Sequence, residues 1–345
     1  MALQPLKLGT AYHGNRMLHH AREDLRDIMN SGMDIVVHML SHTDWDRHLQ
    51  KMKDMISLSS DIGLESWVDN WGLGGPPGDK SFFLSLHPEA HQVMSNGDVD
   101  PVRVCLNSDS FRAFTKEWID AVEYTGARTI FWDEPHIPAR PDGTFSCACP
   151  VCRKKFSERF GYEMPVTIND DVKRFRMDTL ASYFREVTDY SASKGLKNTV
   201  CVAPDPVTGF DPEPLASICG AENLHNIGSD PYWTWYKDTD PYQFVYENTK
   251  KSIELSEHFD KDHNIWIQAY GIPLGREDEI IEACEAAYDA GARTILAWGY
   301  YGSESNDYAA KNPEKTWNRV CEGFRRIRDL EHDRVLSEKR KLYRK

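Results

Sequence analysis

Gly126-Ala127-Arg128-Thr129-Ile130-Phe131-Trp132-Asp133-Glu134 takes the chain from the end of a helix into a short apolar run and leaves two acids at its far end. A glycine before the run suits the left-handed close of a helix. Thr-Ile-Phe-Trp has the β-branched and aromatic character of a buried strand. The first five residues recur as Gly291-Ala292-Arg293-Thr294-Ile295, which again run on to a tryptophan, Trp298. The two copies lie four strand–helix units apart.

Outward from these copies the same alternation fills the chain. Candidate strands are Leu8–Tyr12, Asp34–Met39, Leu64–Val68, Thr129–Trp132, Thr199–Ala203, Leu224–Gly228, Ile265–Ala269 and Thr294–Trp298. Stretches of helical period separate them, among them Trp45–Ile62, Phe111–Thr125, Val172–Ser193 and Glu277–Ala290. Gly63, Gly126, Gly195 and Gly291 stand where a helix should end. Eight strand–helix units without a run of hairpin turns predict an α/β protein, a single (β/α)8 TIM barrel over residues 1–345. An open dinucleotide-binding sheet is the rival. The link after the first strand, Tyr12-His13-Gly14-Asn15, lacks the glycine fingerprint that such a sheet needs.

Composition narrows the function. With 345 residues, the chain is long enough for one large barrel. Its 41 Lys+Arg against 54 Asp+Glu leave a net charge of −13, which speaks against a nucleic-acid partner, since that affinity rests on neutralising phosphates. Only the tail from Lys339 to Lys345 is clearly basic. No apolar run approaches the length of a membrane span, and the first residues have no apolar signal core. The expectation is a cytoplasmic protein with no nucleic-acid or membrane partner; association into a homo-oligomer stays open.

Two links after strands are long, Asn70 to Asn107 and Pro135 to Pro165. Both fall on the face where barrels keep their chemistry. The second holds Cys147-Ala148-Cys149-Pro150-Val151-Cys152, three thiols in six residues, a density that suits Zn²⁺. Cys105, at the end of the other link, offers the fourth ligand. Four sulfurs leave no open position, so the zinc would be structural and would pin the two loops, with 135–165 as a zinc-knuckle insertion. Cys201, Cys219, Cys284 and Cys321 read as small core residues.

The strand ends carry His13; His38; Asp69, Asn70 and Trp71; Asp133 and Glu134; Asp205; Asp230, Tyr232, Trp233 and Trp235; Gln268 and Tyr270; and Trp298 and Tyr300. Carboxylates, amides and flat aromatic rings around one mouth match a carbohydrate substrate, whose hydroxyls need polar partners and whose C–H faces stack on rings. Glu134 is the candidate general acid, because a carboxyl beside aromatic surface holds its proton to higher pH. Asp133 would orient a neighbour, and Asp230 would serve as base or sugar ligand. The blander alternatives are a loop-capping acid pair and an Asx turn before Pro231.

From Cys105 to Gly161 the order of features resembles the glycoside hydrolase family 42 β-galactosidases and related clan-A barrel hydrolases. These features are Cys105-Leu106-Asn107, Ile130-Phe131-Trp132-Asp133-Glu134, and the C-x-C-x-x-C knuckle followed by Phe156, Phe160 and Gly161. The resemblance implies that Glu134 is the acid/base and that Cys105, Cys147, Cys149 and Cys152 hold zinc. It departs at the seventh strand, where Gln268 stands in place of the family's nucleophilic Glu, and at Asp133, where the family has Asn. Asp230 as nucleophile with retention or as base with inversion, or assistance from a substrate acetamido group, would account for the missing nucleophile. Two other classes stay in view, a barrel that binds carbohydrate without cleaving it and a metal-dependent sugar isomerase.

Overall fold

In the computed structural model, which describes residues 5–14, 16–74, 81–135, 137–202 and 212–342, eight parallel strands close into a barrel. In chain order the strands are β1 (Lys7–Tyr12), β2 (Ile35–Met39), β3 (Glu65–Asp69), β4 (His91–Val93), β5 (Val99–Val104), β6 (Thr129–Trp132), β7 (Lys197–Cys201), β8 (Asn226–Ser229), β9 (Asp262–Gln268) and β10 (Thr294–Trp298). β4 and β5 form an antiparallel hairpin outside the barrel. The other eight run β1-β2-β3-β6-β7-β8-β9-β10, and β10 pairs back on β1 through Lys7↔Thr294 and Leu8↔Ile295.

Strand alternation sorts the side chains into two cores. Ala11, Ile35, Val37, Met39, Trp67, Phe131, Cys201, Trp266 and Leu296 fill the barrel axis. Their neighbours face outward onto the helices; Val36, Ile265 and Ile295 do so on one side and Val68, Ile130 and Val200 on the other. Gly9 has a packing reason, because a Cβ there would lie 2.5 Å from the Ile35 carbonyl oxygen.

The handovers form as the glycines predict. The helices His42–Ile62 and Asp109–Thr125 close on Gly63 and Gly126 at φ 102° and 86°. In both copies of the repeat, the arginine carbonyl accepts from the lysine that opens the next strand: Arg128 from Lys197 at 2.9 Å, and Arg293 from Lys7 at 2.7 Å.

The long links hold more structure than their composition announces. The first contains the β4–β5 hairpin, turned at Asn96-Gly97 with Gly97 at φ 97°. The second contains the helix Pro150–Phe160, which begins at the knuckle. Between β7 and β8 runs the short helix Pro212–Cys219. Among the described residues, no helix is long and apolar enough to cross a membrane.

Candidate active site at the barrel mouth

Asp133 and Glu134 leave the end of β6 in different directions. By alternation with Phe131, Asp133 follows the axial side, and its backbone N–H donates to Asn70 Oδ1 at 3.0 Å. Glu134 has φ 31°, in the left-handed region, immediately before Pro135. A non-glycine residue held there costs on the order of 1–3 kcal/mol, and such strain gathers at functional sites.

Asp230 follows β8 and is only 7 % exposed. The Asx-turn alternative is not what forms, since Tyr232 N–H donates to the backbone oxygen of Asp230 at 2.7 Å. Its carboxyl instead meets Glu134 and Cys201. Burial raises the Asp230 carboxyl well above the ordinary aspartate range. The Glu134 charge raises it further, and the hydrogen bond to Glu134 acts in the same direction. Asp230 therefore keeps its proton to higher pH than an ordinary aspartate does. Cys201, the last residue of β7, donates its thiol to Asp230; burial first, and then the acidic surroundings of Asp230, Asp133 and Glu134, keep that thiol protonated. Sequence reasoning took Cys201 for ordinary core, although its place at the inward end of the fifth barrel strand was a signal.

Gln268 occupies the end of β9 and is fully buried. Its Oε1 accepts from Thr234 N–H at 3.2 Å, and its Nε2 donates to Thr234 Oγ1 at 2.6 Å and to the Tyr270 carbonyl at 3.2 Å. The amide is engaged on both sides in tying the loop after β8 to the loop after β9. A carboxylate could accept these bonds but not donate them. Above it the Tyr232 and Tyr270 rings meet edge to face at 5.2 Å, and both hydroxyls are held protonated, by burial first and then by the acidic groups around them, Asp230 foremost. Trp235, 72 % exposed, lies 6.5 Å from Tyr270 at the outer rim.

Across the mouth, His13 lies edge to face with Trp71 at 5.6 Å and with Trp298 at 5.2 Å. Burial lowers the His13 pKa to about 4, with a smaller push from the Arg16 charge, so the ring is neutral near pH 7. Asp69 is buried beneath this wall, and its Oδ1 accepts from Trp71 N–H at 2.9 Å.

Three residues expected on the rim lie elsewhere, because the strand pleat or the following turn points them outward. His38 faces the helix His42–Ile62, where its Nε2 meets Ser59 Oγ at 3.0 Å. Trp233 is fully buried against the outer helices and donates Nε1–H to Glu279 at 2.7 Å. Tyr300 packs on Trp317 at 4.8 Å and donates to Asp27 at 3.3 Å. Asp205 lies outside the described residues.

The four cysteines come together beside the mouth. Cys105 follows β5, the other three open the helix Pro150–Phe160, and all four sulfurs lie within 4.8 Å of one another, buried and not bridged by disulfides. Cys105 is 3.4 Å from Cys152 and 3.6 Å from Cys149. A tetrahedral ion with metal–sulfur bonds of about 2.3 Å would hold its sulfurs about 3.8 Å apart, so this donor set fits one. Around it, Asn107 Nδ2 donates to Cys152 Sγ at 3.3 Å, and Lys155 supports Asn107 at 3.2 Å. Arg176 is half-buried with three backbone carbonyls, Ser146, Ile137 and Pro138, as acceptors, and so moors the loop that leads from Glu134 to the cluster. No motif marked Arg176 in the sequence.

No protein-family model matches this chain, and no curated protein does. Solved structures do. The chain is similar to the catalytic domain of β-amylase from Paenibacillus polymyxa, with a TM-score of 0.65 at 8 % identity over 92 % of this chain and 98 % of that one. It is similar to GH5_18 from Streptomyces cattleya in complex with GlcNAc, with a TM-score of 0.59 at 13 % identity over 95 % and 81 %. It is also similar to D-allulose 3-epimerase from Methylomonas sp., with a TM-score of 0.53 at 12 % identity over 94 % and 99 %. At such identities the likeness establishes the α/β barrel fold.

Proposed function

We propose that this protein is a glycoside hydrolase in which Glu134 is the general acid. The observation that carries the reading is the meeting of the Asp230 and Glu134 carboxyls at the mouth, where burial raises Asp230 well above the ordinary aspartate range. A buried carboxyl pair that shares one proton stores it where a leaving oxygen needs it. In this reading Glu134 first receives the proton of Asp230 and then hands that same proton to the glycosidic oxygen, which leaves both carboxyls ionised. The same pair then takes a proton from the incoming water. Asp133, on the axial side, provides negative charge toward the electron-poor sugar carbon.

Direct contact between Asp230 and Glu134 leaves no room for the water of an inverting pair, which needs carboxyls about 6.5–9.5 Å apart. Gln268 is neutral and fully engaged, so the family-42 nucleophile position is silent. Attack by a substrate's own acetamido oxygen is the second reading. It is favoured by that silent position and by the acid pair after β6. The barrel neighbours, which include a β-amylase and a sugar epimerase, support an enzyme that acts on sugars. The isomerase alternative needs several ligands converging on one ion, and among the described residues the group of three or more so placed is the cysteine cluster.

For that cluster we propose structural zinc, as in the resemblance to family 42. When bound, zinc would cross-link the two long loops. Eight free thiols fit a reducing compartment such as the cytoplasm.

The test is hydrolysis of an aryl-glycoside panel that includes N-acetylhexosaminides, by wild type and Glu134→Gln in parallel. Activity that collapses in the variant supports the assignment. A wild type silent on every glycoside, or equal rates in both proteins, overturns it.

A further inference from the structure

The two most exposed large apolar side chains among the described residues are Trp235 at 72 % and Leu274 at 70 %. Both stand on the rim of the barrel mouth, in the loops after β8 and β9. Tyr308, 59 % exposed, joins them from the loop after β10. A lone exposed leucine is ordinary on a protein surface, but an indole left in water, with a phenol on the neighbouring loop, forgoes the stabilisation that burial gives such rings. Exposed apolar groups gathered in one place mark a contact site.

These rings are continuous with the acids. Tyr232 lies two residues after Asp230, and its N–H donates to the Asp230 carbonyl at 2.7 Å. Its ring meets Tyr270, which in turn is 6.5 Å from Trp235 and 6.4 Å from Tyr308, at interplanar angles of 77° and 88°. The half-buried Tyr270 is thus a hub, and the two exposed rings stand nearly perpendicular to it, each at a spacing on the scale of one sugar ring. The backbones that carry them are pinned. Gln268 holds Thr234, the neighbour of Trp235, at both its N–H and its Oγ1. Gly271, at φ 60°, donates its N–H to the Tyr308 carbonyl at 2.8 Å, and Asn306 Oδ1 accepts from Tyr308 N–H at 2.9 Å. Rigid aromatic groups on a fixed backbone lose little conformational freedom when a ligand arrives.

We infer that the ligand of this mouth is an oligosaccharide chain, whose sugars beyond the one at the acids lie along Tyr270, Trp235 and Tyr308 on the β8–β10 side. That the chain is also cleaved rests on the hydrolase reading above; the path itself needs only the rings. A sugar chain suits this surface by its chemistry. Its C–H faces stack on rings one unit at a time, and its hydroxyls meet the indole N–H and the phenol O–H at the ring edges. The rings also follow one another outward from Asp230, an order that leads a chain into the mouth. A protein partner would instead need a broad face of about 800 Å² with an apolar core.

The test is calorimetric titration of Glu134→Gln with the monosaccharides and tetrasaccharides of the malto-, cello-, chito- and β-1,4-galacto-series. The titrations are repeated with Trp235→Ala, Tyr308→Ala or Trp235→Phe added. In at least one series the tetrasaccharide should bind about tenfold more tightly than its monosaccharide. Trp235→Ala and Tyr308→Ala should each weaken that tetrasaccharide about fivefold, more than they weaken the monosaccharide, and Trp235→Phe, which keeps a flat ring, should recover most of the loss. Both side chains are exposed, so the variants should fold. The inference is overturned if no tetrasaccharide binds more tightly than its monosaccharide, or if the alanine variants bind as the parent does. Self-association that Trp235→Ala abolishes, with sugar affinity unchanged, also overturns it and makes the patch a contact between copies. A wild type silent on every aryl glycoside, whose Glu134→Gln form still binds a tetrasaccharide through Trp235, ends the hydrolase reading and keeps this path. Hydrolysis of aryl monoglycosides with no gain in affinity from chain length does the reverse.

Discussion

The cysteine cluster and the carboxylate mouth are both knots of buried polar chemistry at one end of the barrel, and they are built on opposite terms. Around the cysteines the neighbours are satisfied. Asn107 reaches a sulfur, Lys155 holds Asn107, and Arg176 closes on three carbonyls. At the mouth, Glu134 is strained, burial beside Glu134 pushes the Asp230 carboxyl above the ordinary aspartate range, and His13 Nδ1 and Asp230 Oδ1 lack protein partners. A region that closes every bond is arranged for stability. One that leaves strain and open valences spends stability where function gains from it.

That contrast breaks most sharply at Glu134. Glu134→Gln should lower kcat by about 10²- to 10⁴-fold, the range for loss of a general acid, while Tm moves little or rises as the charge beside Asp230 disappears. A large fall in Tm with modest loss of rate would make Glu134 structural. The reverse pattern is expected for Cys149→Ser. Metal analysis should find one zinc per chain in the wild type and none in the variant. Tm should fall on the order of 10 °C, with activity at low temperature largely kept. Equal zinc and equal Tm in both proteins would reduce the cluster to packed thiols.

Asp230 sharpens the comparison through pH. Its folded pKa is raised, so the stability of its protonated form is complete below the ordinary aspartate value of about 3.9 and is lost as pH rises through the folded value. Asn cannot lose that proton. Asp230→Asn should therefore be more stable than wild type at about pH 8, with the gap shrinking toward pH 4, as thermal melts across pH would read. Histidines work in the opposite sense. His13 and His42 are lowered to about 4 and His38 to about 3, all by burial first, so the stability they lend above about pH 6.5 drains away as pH falls toward those values. The smallest effect belongs to Ser59→Ala, which removes the His38 partner. It should cost about 1 kcal/mol of stability and leave KM unchanged, since His38 faces a helix and not the mouth.

Much of this was legible in the chain. The barrel followed from eight handovers, because each glycine-closed helix and each β-branched run is a local decision that short-range sterics enforce. The cysteine cluster was legible for a similar reason: three of its four members lie within six residues. Asp230 meeting Glu134, the thiol of Cys201 beneath them and the clamp of Gln268 on Thr234 were not legible. Each joins segments tens of residues apart, and no local pattern states a distance across a barrel.

The repeated pentapeptide marks the boundary between the two kinds of knowledge. After Gly126-Ala127-Arg128-Thr129-Ile130 the tryptophan comes two residues later; after Gly291-Ala292-Arg293-Thr294-Ile295 it comes three residues later. That single extra residue turns Trp132 outward, where it packs on Trp118 at 5.8 Å and donates to Asn198 at 2.9 Å. It turns Trp298 inward, against Trp266 at 5.3 Å and His13. Sequence alone determined that both segments are strands, because that depends on residues within a few positions of each other. Which residues share the mouth, and which of them hold a proton, was decided only when the eight strands closed, because burial and neighbouring charge are properties of the assembled barrel.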